Sequence, residues 1–85
     1  MATRIWKYGL NITDVQVLKL PRDHELLTIQ VQDNNVVLWA AVDPDEPADE
    51  EVPIYCYGTG QAGPSADQTY IATIQHLRCV WHFYF

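Results

Sequence analysis

Residues 26–42, LLTIQVQDNNVVLWAAV, have the clearest structural pattern in the chain. From residue 27 to residue 32 apolar and polar side chains alternate, which is the pattern of a strand with one buried face. Residues 33–35 are Asp-Asn-Asn, and these residue types tolerate the positive φ angles of a tight hairpin turn. Residues 36–42 are apolar throughout, as expected for a central strand that is covered on both sides. The stretch therefore predicts a β-hairpin.

The same two-residue period recurs along the rest of the chain, and no longer stretch keeps the period of a helix. Gly9 and Pro21 end two of the apolar segments. We therefore predict an all-β fold, a small antiparallel barrel or sandwich of about seven short strands joined by hairpins. A chain of 85 residues is expected to form a single β domain, residues 1–85. Beyond the first hairpin, the predicted strands are residues 4–10, 15–20, 54–57, 70–75 and 79–85.

The formal net charge of −6 comes from one acidic segment. Residues 43–51, DPDEPADEE, hold 6 of the 11 acidic residues, so the remaining 5 acids balance the 5 bases. Such a run of like charges, broken by prolines, is typical of an exposed and mobile loop. Because lysine and arginine form no cluster, duplex nucleic acid is excluded as a partner. No apolar run approaches the length of about 18 residues that a membrane span requires, so no membrane association is expected.

The residue types that carry catalysis or bind metals are present but poorly arranged. Cys79 and His82 would lie on opposite faces of a continuous strand, and no further ligand stands at a usual zinc spacing. Ser65 lies in a Gly/Pro-rich loop without the pattern of a nucleophile elbow. Nothing close in sequence to Cys56 or Cys79 would lower a thiol pKa, so both are expected to be reduced and buried. We therefore expect no enzyme activity, no metal and no cofactor.

The most suggestive motif is YGTG at residues 57–60. Two glycines let backbone N–H groups approach a ligand closely, the threonine adds a hydroxyl, and the tyrosine ring can stack on a base. The alternative interpretation is a turn at the end of a strand, which needs a positive φ angle. Without a following lysine or helix the motif is not a P-loop. The candidate ligand-binding residues are Tyr57, Gly58, Thr59 and Gly60, with Lys7 and Arg78 as the bases that would contact a phosphate.

The sequence closes on the apolar residues VWHFYF, at positions 80–85. An apolar strand at the edge of a sheet invites pairing with another chain, and a small domain has little core with which to cover it. We therefore expect a homo-oligomer with this strand at or near the interface. The candidate interface residues are Trp81, Phe83 and Phe85.

Eight short motifs are spread over nearly the whole chain. They are IWKY (5–8), ITD (12–14), LTIQVQ (27–32), LWA (38–40), VDP (42–44), YGTG (57–60), YIAT (70–73) and VWH (80–82). In this combination the chain resembles an uncharacterised family of small phage-encoded proteins, a domain of unknown function. It departs from the family pattern at Gln61, where histidine is frequent. A second departure is at Glu50 and Glu51, near which a basic residue is frequent.

The resemblance implies a phage accessory protein that acts in the cytoplasm of the host bacterium. Such a protein would counter bacterial defence by sequestering a small signalling nucleotide or by binding a host protein. The expected partner is therefore a small-molecule ligand or a host protein, which is an inference from the family and not from a chemical motif. The first alternative is a structural or accessory virion protein. The second alternative is a small hydrolase or phosphodiesterase.

Overall fold

Seven β-strands account for most of the chain. A computed structural model describes residues 3–85, and none of these residues is helical. The all-β prediction is confirmed, and the first two strands have the bounds that their sequence pattern predicts. The strands are β1 (Arg4–Leu10), β2 (Val15–Leu20), β3 (Glu25–Gln32), β4 (Asn35–Val42), β5 (Glu50–Gly58), β6 (Tyr70–His76) and β7 (Cys79–Tyr84).

The strands form two antiparallel sheets that are arranged as a sandwich. One sheet has three strands in the order β1-β4-β3, and the other has four strands in the order β2-β5-β7-β6. The edge strands β3 and β6 run close to each other without joining in one hydrogen-bonded ladder, and both line a cavity of about 480 Å³. The sheets are therefore not closed into a barrel, and of the two predicted architectures the sandwich is the one observed.

The hydrophobic core follows the two-residue period of the strands. Ile54 of β5 and Phe83 of β7 are fully buried and belong to the same cluster as the inward side chains of β4. Those side chains of β4 are Val36, Leu38, Ala40 and Val42. Val37 points to the opposite face and is also buried. Burying each large side chain contributes about 1.5–3 kcal/mol, so the shared cluster holds the two sheets together.

Two-residue turns close both tight hairpins. Between β3 and β4, Asp33 and Asn34 have φ angles of 51° and 66°, which is the geometry of a type I′ turn and confirms the predicted hairpin. Between β6 and β7 the corresponding residues are Leu77 and Arg78, with φ angles of 52° and 68°. The second turn therefore places a leucine and an arginine in the left-handed region, where side chains with a Cβ are strained.

The acidic segment is not the uniformly exposed loop that its composition predicts. Asp43 is buried, and its Oδ1 accepts a hydrogen bond from the backbone N–H of Asp45 at 3.0 Å. Aspartate side chains stabilise tight turns in this way, which explains why one acid of the run leaves the solvent. Glu50 and Glu51 belong to β5, where they pair with β2, so that strand begins earlier than predicted. The exposed residues of the segment are Asp45, Pro47, Ala48, Asp49, Glu50 and Glu51.

The last strand is central in its sheet and not at an edge. β7 lies between β5 and β6, and the backbone of Phe85 forms two hydrogen bonds with that of Thr69, at 2.7 and 2.9 Å. The expectation of a bare apolar edge strand is therefore wrong, because neighbours within the domain satisfy both sides of its backbone. Self-association stays a prediction, but this strand's edge is not free to carry it.

Candidate functional site

The outer face of the four-stranded sheet carries an unusual set of side chains. Val52, Ile54 and Cys56 of β5 point into the core, so Tyr55 and Tyr57 point outward. The same alternation turns residues of β2 and β7 to this side, and in β6 a register shift between Tyr70 and Ala72 places both Tyr70 and Thr73 there. We call the resulting surface the tyrosine face, and its residues are Val15, Val17, Pro53, Tyr55, Tyr57, Tyr70, Thr73, His82 and Tyr84.

One straight row of apolar and aromatic residues crosses all four strands of this face. Val15 lies opposite Tyr55, Tyr55 opposite Tyr84, and Tyr84 opposite Tyr70. The two ends of the row are open to solvent, since Val15 is 51% exposed and Tyr70 is 53% exposed. No formally charged residue stands in the row. The arrangement is an apolar strip, and its aromatic members can also hydrogen bond through their hydroxyl groups.

The tyrosine rings support one another. The ring centroids of Tyr57 and Tyr84 are 5.8 Å apart at 75°, and those of Tyr70 and Tyr84 are 5.4 Å apart at 69°. Both pairs are edge-to-face contacts, the geometry that the quadrupoles of aromatic rings favour. The hydroxyl of Tyr57 also donates to Oε1 of Gln68 at 2.7 Å. These contacts within the protein restrict the orientations of the rings.

His82 holds the centre of the face. Its Nε2 lies 2.8 Å from Oγ1 of Thr59, and its Nδ1 lies 3.0 Å from Oγ1 of Thr73. Thr73 Oγ1 is in turn 2.8 Å from the Tyr70 hydroxyl. A hydroxyl can donate or accept, so both ring nitrogens are satisfied in either tautomer. Within residues 3–85 no carboxylate contacts the imidazole, so His82 links three elements of the face and lacks the acidic partner of a catalytic triad.

The turn at residues 58–61 uses most of its own N–H groups. The Gln61 N–H donates to the Gly58 carbonyl at 3.1 Å, and Gly60 has a φ angle of 91°, as in a type II turn. The Gly58 N–H donates to Oε1 of Gln61 at 2.6 Å, and the Thr59 N–H donates to the Val80 carbonyl at 3.4 Å. The turn therefore matches the alternative interpretation, a strand end that needs a positive φ, better than a phosphate cradle.

The structure does not bring the predicted bases to this turn. Lys7 belongs to β1 in the other sheet, where its Nζ donates to Oε1 of Gln32 at 2.9 Å. Arg78 stands at the exposed tip of the β6–β7 hairpin. The ring of Trp81 lies beside the turn instead, because a Cβ on Gly58 would lie 3.3 Å from it. Of the ligand-binding candidates, Tyr57 and the turn residues therefore lie together, whereas Lys7 and Arg78 lie away from them.

The predicted interface residues have different environments. Phe83 is fully buried opposite Cys56, so the expectation that it contacts a partner is wrong. Trp81 is half-buried and Phe85 is 39% exposed. The outward residues of the same strand, His82 and Tyr84, were missed. The signal that identifies them is the alternation of the strand itself, which turns them away from Phe83.

The two cysteines are free and lie in different environments. Cys56 is buried, as expected, whereas Cys79 is exposed because it begins β7 beside the hairpin turn. Burial raises the pKa of the Cys56 thiol, and the negative charge of Asp14 raises it further. The backbone also joins these two residues, since the Cys56 N–H donates to the Asp14 carbonyl at 3.1 Å.

A groove borders the tyrosine face where β2 begins. It encloses about 540 Å³, and we call it the Asp14 groove. Its lining residues are Asp14, Val15, Tyr55, Cys56, Tyr57, Gln61 and Ala62. A smaller groove of about 210 Å³ lies on the other side of the turn, beside His82 and Tyr84. The Asp14 groove lies within the range of about 300–1,000 Å³ that is usual for ligand pockets, as does a groove of about 360 Å³ between the turn and Trp81, whereas the groove beside His82 does not.

We also searched the described residues for a metal site and for a membrane-spanning helix. Residues 3–85 contain no group of three or more His, Cys, Asp or Glu residues that is placed to hold a metal ion. The same residues contain no helix that is long and apolar enough to cross a membrane.

Comparison with known proteins identifies a family without supplying a function. No curated protein matches the chain, and no solved structure matches it. The motifs quoted above led us to expect an uncharacterised family, and the match is indeed to a family of unknown function. The model of a family described as "Domain of unknown function (DUF7352)" matches residues 1–85, so the chain belongs to this family.

Proposed function

We propose that this protein is a non-enzymatic binding module, a phage accessory protein that binds a host protein in the bacterial cytoplasm through its tyrosine face. The observation that carries the proposal is the row Val15–Tyr55–Tyr84–Tyr70, which crosses all four strands on the outer face of the sheet and has exposed ends and half-buried central rings. The motifs that resemble small phage-encoded proteins support the phage context. Countering host defence is the role that such a binding protein would have.

A protein surface is the partner that this chemistry favours. Protein interfaces are enriched in tyrosine at their centres and depleted of charged residues there. Tyrosine contributes a large apolar area together with a hydroxyl, and it has few rotatable bonds to immobilise. The edge-to-face contacts of Tyr84 with Tyr57 and Tyr70 restrict the rings further, which reduces the entropy lost on binding.

Sequestration of a signalling nucleotide has weaker support. The N–H groups of Gly58, Thr59 and Gln61 are already bonded within the protein, so they are not free to cradle a phosphate. The groove beside His82 is small, at about 210 Å³. Lys19 is the basic residue on the outer side of this sheet, and it lies opposite Glu51 at the far end of β2.

The test compares captured proteins between matched surface variants. Tagged wild-type protein, the double variant Val15→Ser/Tyr70→Ser and the control Ile5→Ser are expressed in host cells, and co-purifying proteins are quantified by mass spectrometry. Ile5 is 65% exposed and lies on the other sheet, so the control changes a similar surface elsewhere. We expect one host protein to be retained by the wild type and the control and lost about tenfold or more from the double variant.

Two results would contradict the proposal. One is capture of the same proteins by the folded double variant and by the wild type, with folding verified by circular dichroism. The other is a dimer of the pure protein in sedimentation that the double variant dissociates. That second result would assign the tyrosine face to a second copy of the chain, and the homo-oligomer expected from the sequence would then be correct.

A further inference from the structure

The Asp14 groove is continuous with the tyrosine face. Val15 and Tyr55 belong both to the row across the sheet and to the lining of the groove, and Tyr57 belongs to the face and the groove alike. A partner that covers the row would therefore also cover the mouth of the groove. Its volume of about 540 Å³ is large enough for one long side chain to enter.

The groove combines one negative charge with aromatic and apolar walls. Among residues 3–85, Asp14 is the only formally charged one in its lining. Asp14 and Cys56 both line the groove, and the Cys56 N–H donates to the Asp14 carbonyl at 3.1 Å, which holds the two residues side by side. Gln61 adds an amide oxygen that accepts one hydrogen bond from Gly58 and keeps a second lone pair. Acceptors and aromatic rings without any base form an environment that favours a cation.

We propose that the Asp14 groove binds an arginine side chain of the partner protein, with Asp14 facing the guanidinium and Tyr55 and Tyr57 alongside it. The inference rests on the proposed function, because the arginine belongs to the protein that covers the tyrosine face. Arginine fits better than lysine, since its planar group pairs with a carboxylate in bidentate fashion and stacks on aromatic rings. The net charge of −6 also favours approach of a basic surface over approach of a second acidic copy.

The test uses a small probe and the whole protein. N-acetyl-arginine amide is titrated into isotope-labelled protein, and backbone chemical shifts are followed by NMR. N-acetyl-citrulline amide is the matched neutral probe, because it has nearly the same shape without the charge. We expect saturable shifts at Val15, Tyr55 and Tyr57 with the arginine probe and much smaller shifts with the citrulline probe.

The variants separate a local effect from general attraction. Asp14→Asn should weaken binding of the arginine probe about fivefold, as expected for a partly exposed ion pair. Asp14 contributes its backbone to folding and its side chain makes no hydrogen bond in the described residues, so the variant should fold. Asp49→Asn removes an exposed acid outside the groove and should leave binding unchanged.

Three outcomes would overturn the inference. They are equal binding of both probes, an equal effect of the two Asp→Asn variants, and absence of shifts around the groove. None of them depends on the capture experiment. If the arginine probe fails while Val15→Ser/Tyr70→Ser still loses the host protein, only the arginine site is wrong. If the probe binds while capture is unaffected, the tyrosine face is wrong as the partner surface.

Discussion

Tyr84 and Tyr70 lie directly opposite each other on β7 and β6, with their ring centroids 5.4 Å apart and their planes at 69°. Tyr84 also contacts Tyr57 on the neighbouring strand in the same edge-to-face manner. One ring therefore orients two others, and the hydroxyl of Tyr70 is tied to His82 through Thr73. The face is organised around Tyr84 by contacts within the folded chain.

Tyr70 and Tyr84 should be energetically coupled. We expect a double-mutant cycle with Tyr70→Ala and Tyr84→Ala to give a coupling free energy of about 0.5–1.5 kcal/mol, the usual range for an aromatic pair. The measurement is urea unfolding of the wild type, the two single variants and the double variant. A cycle with Tyr70→Ala and Trp39→Ala, residues on different sheets, is the control and should be additive. Additivity of the Tyr70–Tyr84 cycle would contradict the contact.

The β6–β7 turn should be improved by better turn residues. Leu77 and Arg78 adopt left-handed φ angles that favour Asn and Gly, so Leu77→Asn/Arg78→Gly should stabilise the protein by about 1–2 kcal/mol. Thermal unfolding should show a rise in Tm of about 4–8 °C for each kcal/mol. The reciprocal control, Asp33→Leu/Asn34→Arg in the other hairpin, should lower Tm. Leu77 is 80% exposed and has little packing to lose, so no rise in the first variant would contradict the prediction.

The stability should decline at alkaline pH through two buried groups. Burial raises the pKa of the Cys56 thiol and that of the Tyr8 phenol above their ordinary values, and Asp14 adds to the effect on Cys56. The folded state thus favours their protonated forms. The stability they contribute is complete below the unfolded pKa values and is lost as the pH rises from about 9 through the raised values.

The control for this pH dependence removes both groups. Cys56→Ala/Tyr8→Phe should show a shallower fall in the free energy of unfolding than the wild type between roughly pH 8 and pH 11. The Tyr8 hydroxyl is buried without a hydrogen-bond partner, so its removal leaves no unsatisfied group. The comparison uses slopes because the loss of the Cys56 side chain also changes stability at neutral pH. Equal slopes would contradict the assignment.

Two acids of the same segment should behave differently on substitution. Asp43→Ala removes the acceptor for the Asp45 N–H in a buried turn and should destabilise the protein by about 1–2 kcal/mol. Asp49 is exposed, and Asp49→Ala should change the free energy of unfolding by less than about 0.5 kcal/mol. Urea unfolding at neutral pH measures both. Similar values for the two variants would show that the Asp43 turn is unimportant.

The positions of most strands could be predicted from short-range sequence patterns. Of the alternating apolar residues of β3 only Ile29 is buried, whereas Leu27 and Val31 are exposed, so the alternation identifies the strand and not its buried face. The pattern of residues 27–32 sets the position of β3, and Asp33 with Asn34 sets the position of the first hairpin. Both features depend on residues that are neighbours in sequence, where backbone sterics and the two-residue period act directly. For this reason strand positions were predictable to within a few residues, apart from the start of β5.

The order of the strands in the two sheets could not be predicted from the sequence. The position of β7 between β5 and β6 depends on pairing between residues far apart in the chain, and no local pattern encodes that choice. The same lack of long-range information hid the tyrosine row, which exists only because Val15, Tyr55, Tyr84 and Tyr70 share one register. For the same reason the sequence analysis grouped Lys7 with the turn at residues 58–61, although Lys7 lies on the other sheet.

The unclosed border between β3 and β6 bears on how this chain avoids fibre formation. Free strand edges are templates for cross-chain ladders, and a sandwich of two sheets has four of them. β3 and β6 run close together, each with a register irregularity, so each hinders access to the other. The remaining edges, β1 and β2, carry Lys7 and Lys19, and lysine on an edge strand disfavours such ladders. The tyrosine face can therefore stay exposed at high protein concentration without seeding amyloid-like aggregates.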